Sequence, residues 1–287
     1  MSFVLIGGLF VVEAAAGFWT NSLALLSDAG HVLTDVLGLG MALAAIQLAT
    51  RHERSRSSRS RPSAHTFGLY RLEILAAFVN ALLLFGVALW VLVEAARRLS
   101  DDSEVHTGGM LVVAVVGLAV NLVALALLQQ GSGESLNVEG AYLEVLADTI
   151  GSVGVIVAAV LLRVFGWEWV DPVFAAIIGV WILPRTWRLG GQAVRILLQA
   201  APPGVDLHQL EQELRALPGV IDVHDLHVWT LTSEMDAASA HLMAGEGADH
   251  HRILDEARTL LSDRHQIAHA TFQVEPETHT GCAEVHW

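Results

Sequence analysis

Residues 23–40 read LALLSDAGHVLTDVLGLG, and residues 139–159 read EGAYLEVLADTIGSVGVIVAA. Each stretch is a long apolar run carrying an ionisable pair four residues apart: His31 with Asp35, and Glu144 with Asp148. In a helix, residues at i and i+4 project from one face, a turn apart. Two such helices packed face to face offer one imidazole and three carboxylates to a common point. That donor set suits a divalent metal of borderline to hard character. An ionisable group at mid-bilayer costs roughly 2.5–3.5 kcal/mol even on the lenient insertion scale, so such residues mark function. Four of them at matched spacing on two helices predict an ion pathway. Asp28 sits at the start of its run and reads as a helix cap.

The rest of the chain supplies the membrane setting. Of the 287 residues, 53% are hydrophobic. Apolar runs of spanning length cover about 3–26, 28–50, 72–96, 108–130, 139–164 and 171–190. They predict six transmembrane helices within 1–201. The second scores low on hydropathy because Asp28, His31 and Asp35 lie near its start. The first is too long for a signal-peptide core and reads as a true span. Glu13, Asn21, Asn80 and Asn121 fit either a water-filled path or interhelical hydrogen bonds, and the second reading is favoured.

Charge sets the expected orientation. All 16 basic residues are arginine, and five of them, Arg51, Arg54, Arg56, Arg59 and Arg61, crowd residues 51–65. This Arg/Ser-rich stretch reads as a disordered cytoplasmic loop. An even number of spans then places both termini in the cytoplasm of a multi-pass inner (plasma) membrane protein. From residue 202 onward, 15 acidic residues face 4 arginines. That anionic balance disfavours nucleic acid as a partner. A lone cysteine, Cys282, excludes an intrachain disulfide and suits a reducing compartment.

Pro202-Pro203-Gly204 marks the boundary of a second domain, 202–276. Residues 206–217 and 249–264 carry helical stripes. Residues 220–232, 237–244 and 270–274 read as strands. The order α-β-β-α-β predicts a small two-layer domain. Ten of the fourteen histidines fall after residue 202. His224 and His227 lie on the first strand, His241 on the second, and His250 and His251 open the second helix. Beside so many carboxylates they predict a second metal site. The tail 277–287 holds His279, Cys282 and His286 in an H-x-x-C-x-x-x-H spacing.

The segments NSLALLSDAGHVLTDVLGLG, HTFGLYRLEILAA, LNVEGAYLEVLADTIGSVGVIVAA, WVDPVFAAIIG and GVIDVHDLHVWTLTS occur in order along nearly the whole chain. Together they resemble the cation diffusion facilitator family, in its bacterial cobalt-zinc-cadmium efflux branch. The resemblance implies six transmembrane helices plus a C-terminal ferredoxin-like cytoplasmic domain that senses metal and dimerises. It implies a homodimeric, proton-coupled antiporter in the lipid bilayer that exports divalent cations, Zn²⁺ foremost and also Co²⁺ or Cd²⁺. No cofactor is implied beyond the bound or transported metal.

By position, the resemblance puts the transport site on His31, Asp35, Glu144 and Asp148. Glu144 stands where the branch is expected to have a second histidine. That substitution hardens the site and opens an alternative preference for Mn²⁺ or Fe²⁺. In the C-terminal domain, His224 and His241 match family ligands; Gln273 and Glu275 stand on the closing strand where some members have His and Asp, which implies a poorer site; and His250 is a further candidate. Of a second site that some members carry between helices two and three, His65 alone matches. Arg71 matches one half of a basic-acidic pair that joins the two domains in some members, with Gln199 at the acidic position. A metalloenzyme would need a motif such as H-E-x-x-H; His52-Glu53 is followed by Arg56, not by a second histidine. A membrane metal sensor without transport is the remote alternative.

Overall fold

A computed structural model describes residues 2–57, 66–100, 105–129, 136–232 and 235–279. Six long helices occupy the N-terminal two thirds: α1 (Ser2–Thr20), α2 (Leu23–Ser57), α3 (Arg71–Arg98), α4 (Thr107–Gln129), α5 (Leu136–Phe165) and α6 (Val170–Leu197). Within the described residues α3, α4, α6 and the Val145–Phe165 stretch of α5 are long and apolar enough to cross a membrane. Their faces stay largely open: Leu82, Val112, Val123, Leu127 and Trp181 are exposed, as lipid-facing side chains must be. α2 carries Asp28, His31 and Asp35 in its first half and an arginine-rich stretch at its end.

The α1–α2 break differs from the sequence reading. The apolar run 3–26 predicts one helix, but the chain turns at Asn21, whose φ is 55°. Asparagine tolerates this left-handed conformation better than most residues. α2 restarts at Leu23, and Asp171 of α6 caps it. The Asp171 carboxylate accepts from Ser22 Oγ at 2.6 Å, Leu23 N at 2.6 Å and Ala24 N at 3.2 Å. Asp28 is therefore more than a turn inside the helix and is not its cap. At the other end, α2 runs through Ser57 instead of stopping near 50. Arginine and glutamate are good helix formers, and the first proline comes only at Pro62. The loop expected at 51–65 thus begins as helix.

The chain forms two compact units, Met1–Ala44 with Ala76–Gly190, and Ala45–Leu75 with Gly191–Trp287. In the first, small residues set close helix contacts. A Cβ added to Gly30 would meet Val87 Cγ1 at 2.6 Å, and one on Gly38 would meet Asn80 Nδ2 at 2.7 Å. α2 therefore lies tight on α3 along the segment that carries His31.

In the second unit, α7 (Leu207–Arg215), β1 (Val220–Thr232), β2 (Met235–Ala244), α8 (His250–His265) and β3 (His269–Pro276) follow the predicted order. The sheet runs β1-β2-β3, with β1–β2 antiparallel and β2–β3 parallel across α8. Asp206 and Asp249 cap the two helices through backbone N–H groups two and three residues on. Leu210, Leu214, Ile253, Ala257 and Leu261 form the helix layer of the core and pack with Val223, Val228 and Leu242 of the sheet.

Candidate metal centres

The membrane site is built from α2 and α5. His31 is 8% exposed, and its Nε2 lies 3.2 Å from Asp148 Oδ1 across the two helices. The spacing argument needs this contact: two helices present their marked faces to each other. The approach is not aligned as a hydrogen bond, and Asp148 Oδ1 has no hydrogen-bond donor. Asp35 and Glu144 sit one turn along α2 and one turn back along α5, on the same faces by helical periodicity. Their side chains lie outside the described residues. A buried charge must be paired or bound to a cation, so an imidazole facing a carboxylate in an apolar bundle is a coherent half of a metal site.

Two acidic residues of this region, read from the sequence as a hydrogen-bond partner and a helix cap, are buried inside the bundle. Glu13 on α1 is 2% exposed and Asp28 on α2 is 7% exposed. The sequence carried a signal for both, as charges inside spanning runs, but neither has a partner at i+4. Asn121 does make an interhelical hydrogen bond as expected, donating from Nδ2 to Ser152 Oγ at 3.3 Å.

The second centre is built by the sheet. His224 and His241 are directly opposed on β1 and β2, and His241 is opposed to Gln273 on β3. Their rings lie 5.2 Å apart, centroid to centroid. Glu275, 3% exposed, completes the group: its Oε1 is 2.8 Å from His241 Nδ1 and its Oε2 is 3.6 Å from His224 Nε2. One ligand atom from each of the three fits within a 4.8 Å span. Neither His224 Nε2 nor His241 Nδ1 makes a hydrogen bond, despite the short approach to Glu275. Ring nitrogens aimed with a carboxylate at one point are what a divalent cation requires, since its ligands bind through free lone pairs. Gln273 Nε2 donates to Glu275 Oε1 at 2.7 Å and orients the carboxylate.

A bulge between His224 and His227 puts Asp225 at φ 53°. It turns the Asp225 carboxylate back along the strand, 2.9 Å from His227 Nε2 and 3.8 Å from His241 Nε2. Among the described residues, His250 stands exposed at the start of α8 and is not part of the triad. His279 is exposed, its backbone N–H donating to Pro276 O at 2.8 Å. His65, Cys282 and His286 lie outside the described residues. Arg71 and Gln199 do meet: with its amide oxygen toward the guanidinium, Gln199 accepts from Arg71 at 2.8 and 3.2 Å. A neutral amide here replaces the acidic partner of the resembled pair. Phe67, just before Arg71, packs edge-on against Trp229 of β1 at 6.4 Å and His269 of β3 at 6.3 Å.

Comparison with known proteins places the chain among its relatives. Residues 1–198 match the family model of the cation efflux transmembrane domain, and residues 202–277 that of the cation efflux protein cytoplasmic domain. The chain is 45% identical over 276 residues to the metal cation efflux system protein CzcD of Cupriavidus metallidurans, covering 96% of this chain and 85% of that one. It is 37% identical over 286 residues to the cadmium, cobalt and zinc/H(+)-K(+) antiporter of Bacillus subtilis, covering 97% and 88%. It is 39% identical over 276 residues to the zinc transporter ZitB of Escherichia coli, covering 96% and 85%. A solved structure of the metal-bound C-terminal domain of the CzcD transporter matches 25% of this chain and 99% of its own length, at 36% identity and a TM-score of 0.24. With the two family models matching residues 1–198 and 202–277, and with these relatives at 37–45% identity over nearly the whole chain, the chain belongs to the cation efflux, or cation diffusion facilitator, family.

Proposed function

We propose that this protein is a homodimeric antiporter that exports a divalent transition metal from the cytoplasm in exchange for protons, with Zn²⁺ as main substrate and Co²⁺ and Cd²⁺ as further ones. The observation that carries the reading is His31 Nε2 at 3.2 Å from Asp148 Oδ1 between α2 and α5. On this reading all six long helices span the inner membrane, both termini are cytoplasmic, and the α-β-β-α-β domain is a ferredoxin-like module through which two copies pair. His31, Asp35, Glu144 and Asp148 are the transport ligands. Metal and protons compete for these four groups, because each must be deprotonated to bind. Antiport then needs no separate proton path: outward exposure lets protons displace the ion.

His224, His241 and Glu275 are read as a resident metal site of the C-terminal domain, which would stabilise the sheet by tying its three strands together. The carboxylate Glu144, in place of a neutral nitrogen, broadens the metal range toward Mn²⁺ and Fe²⁺. The test is metal uptake into inverted vesicles by the parent, His31→Ala and Asp148→Ala. Near-normal uptake by either variant would remove these residues from the site.

A further inference from the structure

Two buried carboxylates outside the four transport candidates, Glu13 and Asp28, share one place in the bundle. Glu13 and Asp28 are set against neighbouring small residues of α4 and α5. A Cβ on Gly117 of α4 would stand 2.8 Å from Glu13 Oε1, and one on Gly151 of α5 would stand 3.4 Å from Asp28 Oδ1. Gly117 leaves space where a side chain would press on Glu13, and Gly151 lies in contact range of Asp28. The hydroxyl of Ser152, held by Asn121, is 4.0 Å from the same Gly117 position. Glu13 Oε2 is buried and has no hydrogen-bond partner. A carboxylate oxygen left so in an apolar bundle carries a cost that a bound cation would remove.

The place has a direction. Asp28 lies three residues from His31 toward the turn into α2, about 4.5 Å along the axis. Gly151 and Ser152 lie three and four residues from Asp148 toward the C-terminal end of α5. Those are the same end of the bundle, because Asp171, just beyond the α5–α6 connection, caps the start of α2. His106, at the start of α4, donates its backbone N–H to Thr20 O there as well. In the orientation proposed above, that end faces away from the cytoplasm.

We infer that Glu13, Asp28 and Ser152 form a second divalent-cation position, one turn outward of the transport site, which takes the ion on its way out. This inference rests on the proposed transport reading. Its ligands are all oxygen, with no imidazole, so it holds transition metals more weakly than the His31 site and favours harder ions such as Mn²⁺. A weak station beside a strong one suits conduction, where an ion must enter readily and also leave.

The test uses the full-length protein carrying His224→Ala and His241→Ala, which silence the C-terminal triad, together with His31→Ala, Asp35→Ala, Glu144→Ala and Asp148→Ala, which strip the transport site of its ligands. Mn²⁺ is titrated and free ion is read by electron paramagnetic resonance. A saturable class of one Mn²⁺ per protomer is expected, weakened at least tenfold by Glu13→Gln. Gly117→Ala, which keeps every carboxylate but crowds Glu13, should weaken it too, and it decides the matter should Glu13→Gln fail to fold. A Mn²⁺ class unchanged by both, or no such class at all, overturns the second position. Failure of the transport reading shows separately: with the other transport ligands intact, Cd²⁺ binding would then be insensitive to His31→Ala. In vesicles with the transport ligands intact, Glu13→Gln should lower the maximal export rate more than it alters the KM for cytoplasmic metal. A parental maximal rate would remove Glu13 from the path.

Discussion

The two candidate centres use similar side chains on opposite kinds of scaffold. In the membrane half, His31 and Asp148 meet across helices, each with a companion at i+4. In the C-terminal domain, His224, His241 and Glu275 come from three strands and meet through pairing register. A helix repeats its face every turn, so one helical site leaves a mark within five residues of sequence. A sheet site spreads its ligands over 52 positions, from 224 to 275, and depends on a register that no local pattern states. The first site is also set in an apolar bundle, where loss of a charge partner is costly. The second is largely buried in the sheet of a small domain, where a bound metal would add stability.

The largest expected effect separates the two centres directly. Asp148→Ala leaves a buried site short of one anion, a loss of about 3 kcal/mol or more, roughly a hundredfold in occupancy at fixed metal. Transport should vanish while the C-terminal domain still binds metal, as read by calorimetry on the same sample. Glu275→Ala should do the reverse. A domain site saturated at about 100 times its Kd adds about 2.7 kcal/mol, which is on the order of 10 °C for a domain of this size. The metal-induced rise in melting temperature should disappear in Glu275→Ala with export retained. Coupled loss of both properties in either variant would break the comparison.

Glu144→His tests whether carboxylate count sets selectivity at the membrane site. It recreates two histidines and two carboxylates, a set suited to tetrahedral Zn²⁺. The Zn²⁺-over-Mn²⁺ export ratio should rise several-fold. An identical metal profile in the two proteins would mean that Glu144 is not a ligand.

The anionic C-terminal domains should also respond to metal as a pair, because bound cations reduce their mutual repulsion. Distances between spin labels on the two domains should shorten under saturating Zn²⁺ in the parent and stay constant in His241→Ala.

The smallest effect concerns Glu213, which joins α7 to α8. Hydrogen bonds from Gln209 at 2.9 Å and then from His265 at 3.0 Å hold its carboxyl below the usual range. A lowered folded-state value means the contribution is full above the unfolded pKa of about 4.3 and is lost as pH falls through the folded value. The C-terminal domain of Glu213→Gln should therefore lose stability at neutral pH and show a flatter acid limb than the parent. Equal acid limbs would remove Glu213 from that role.

How far each region could be read follows from the same contrast. The i,i+4 pairs, the Pro-Pro-Gly boundary and the α-β-β-α-β order were legible because each is a local period or break. The helical stripes placed the starts of α7 and α8, and the structure adds that Asp206 and Asp249 cap them. The α1–α2 turn was not legible, because its cap, Asp171, lies 148 residues from Leu23. Hydropathy alone joined Phe18 to Leu26 across it. Glu13 and Asp28 were seen as charges but could not be grouped, since their neighbours come from α4 and α5. In the C-terminal domain His224 and His241 were found by family resemblance and histidine density. The role of Asp225 depends on a bulge that sequence does not announce.

The central claim is that His31, Asp35, Glu144 and Asp148 exchange metal for protons at one place. Simultaneous recording of Zn²⁺ uptake and internal pH in acid-loaded inverted vesicles tests it most directly. The account predicts Zn²⁺ entry with matching proton exit in the parent, and neither flux in Asp148→Ala. Zn²⁺ entry without a pH change, or proton exit that persists in Asp148→Ala, would contradict it.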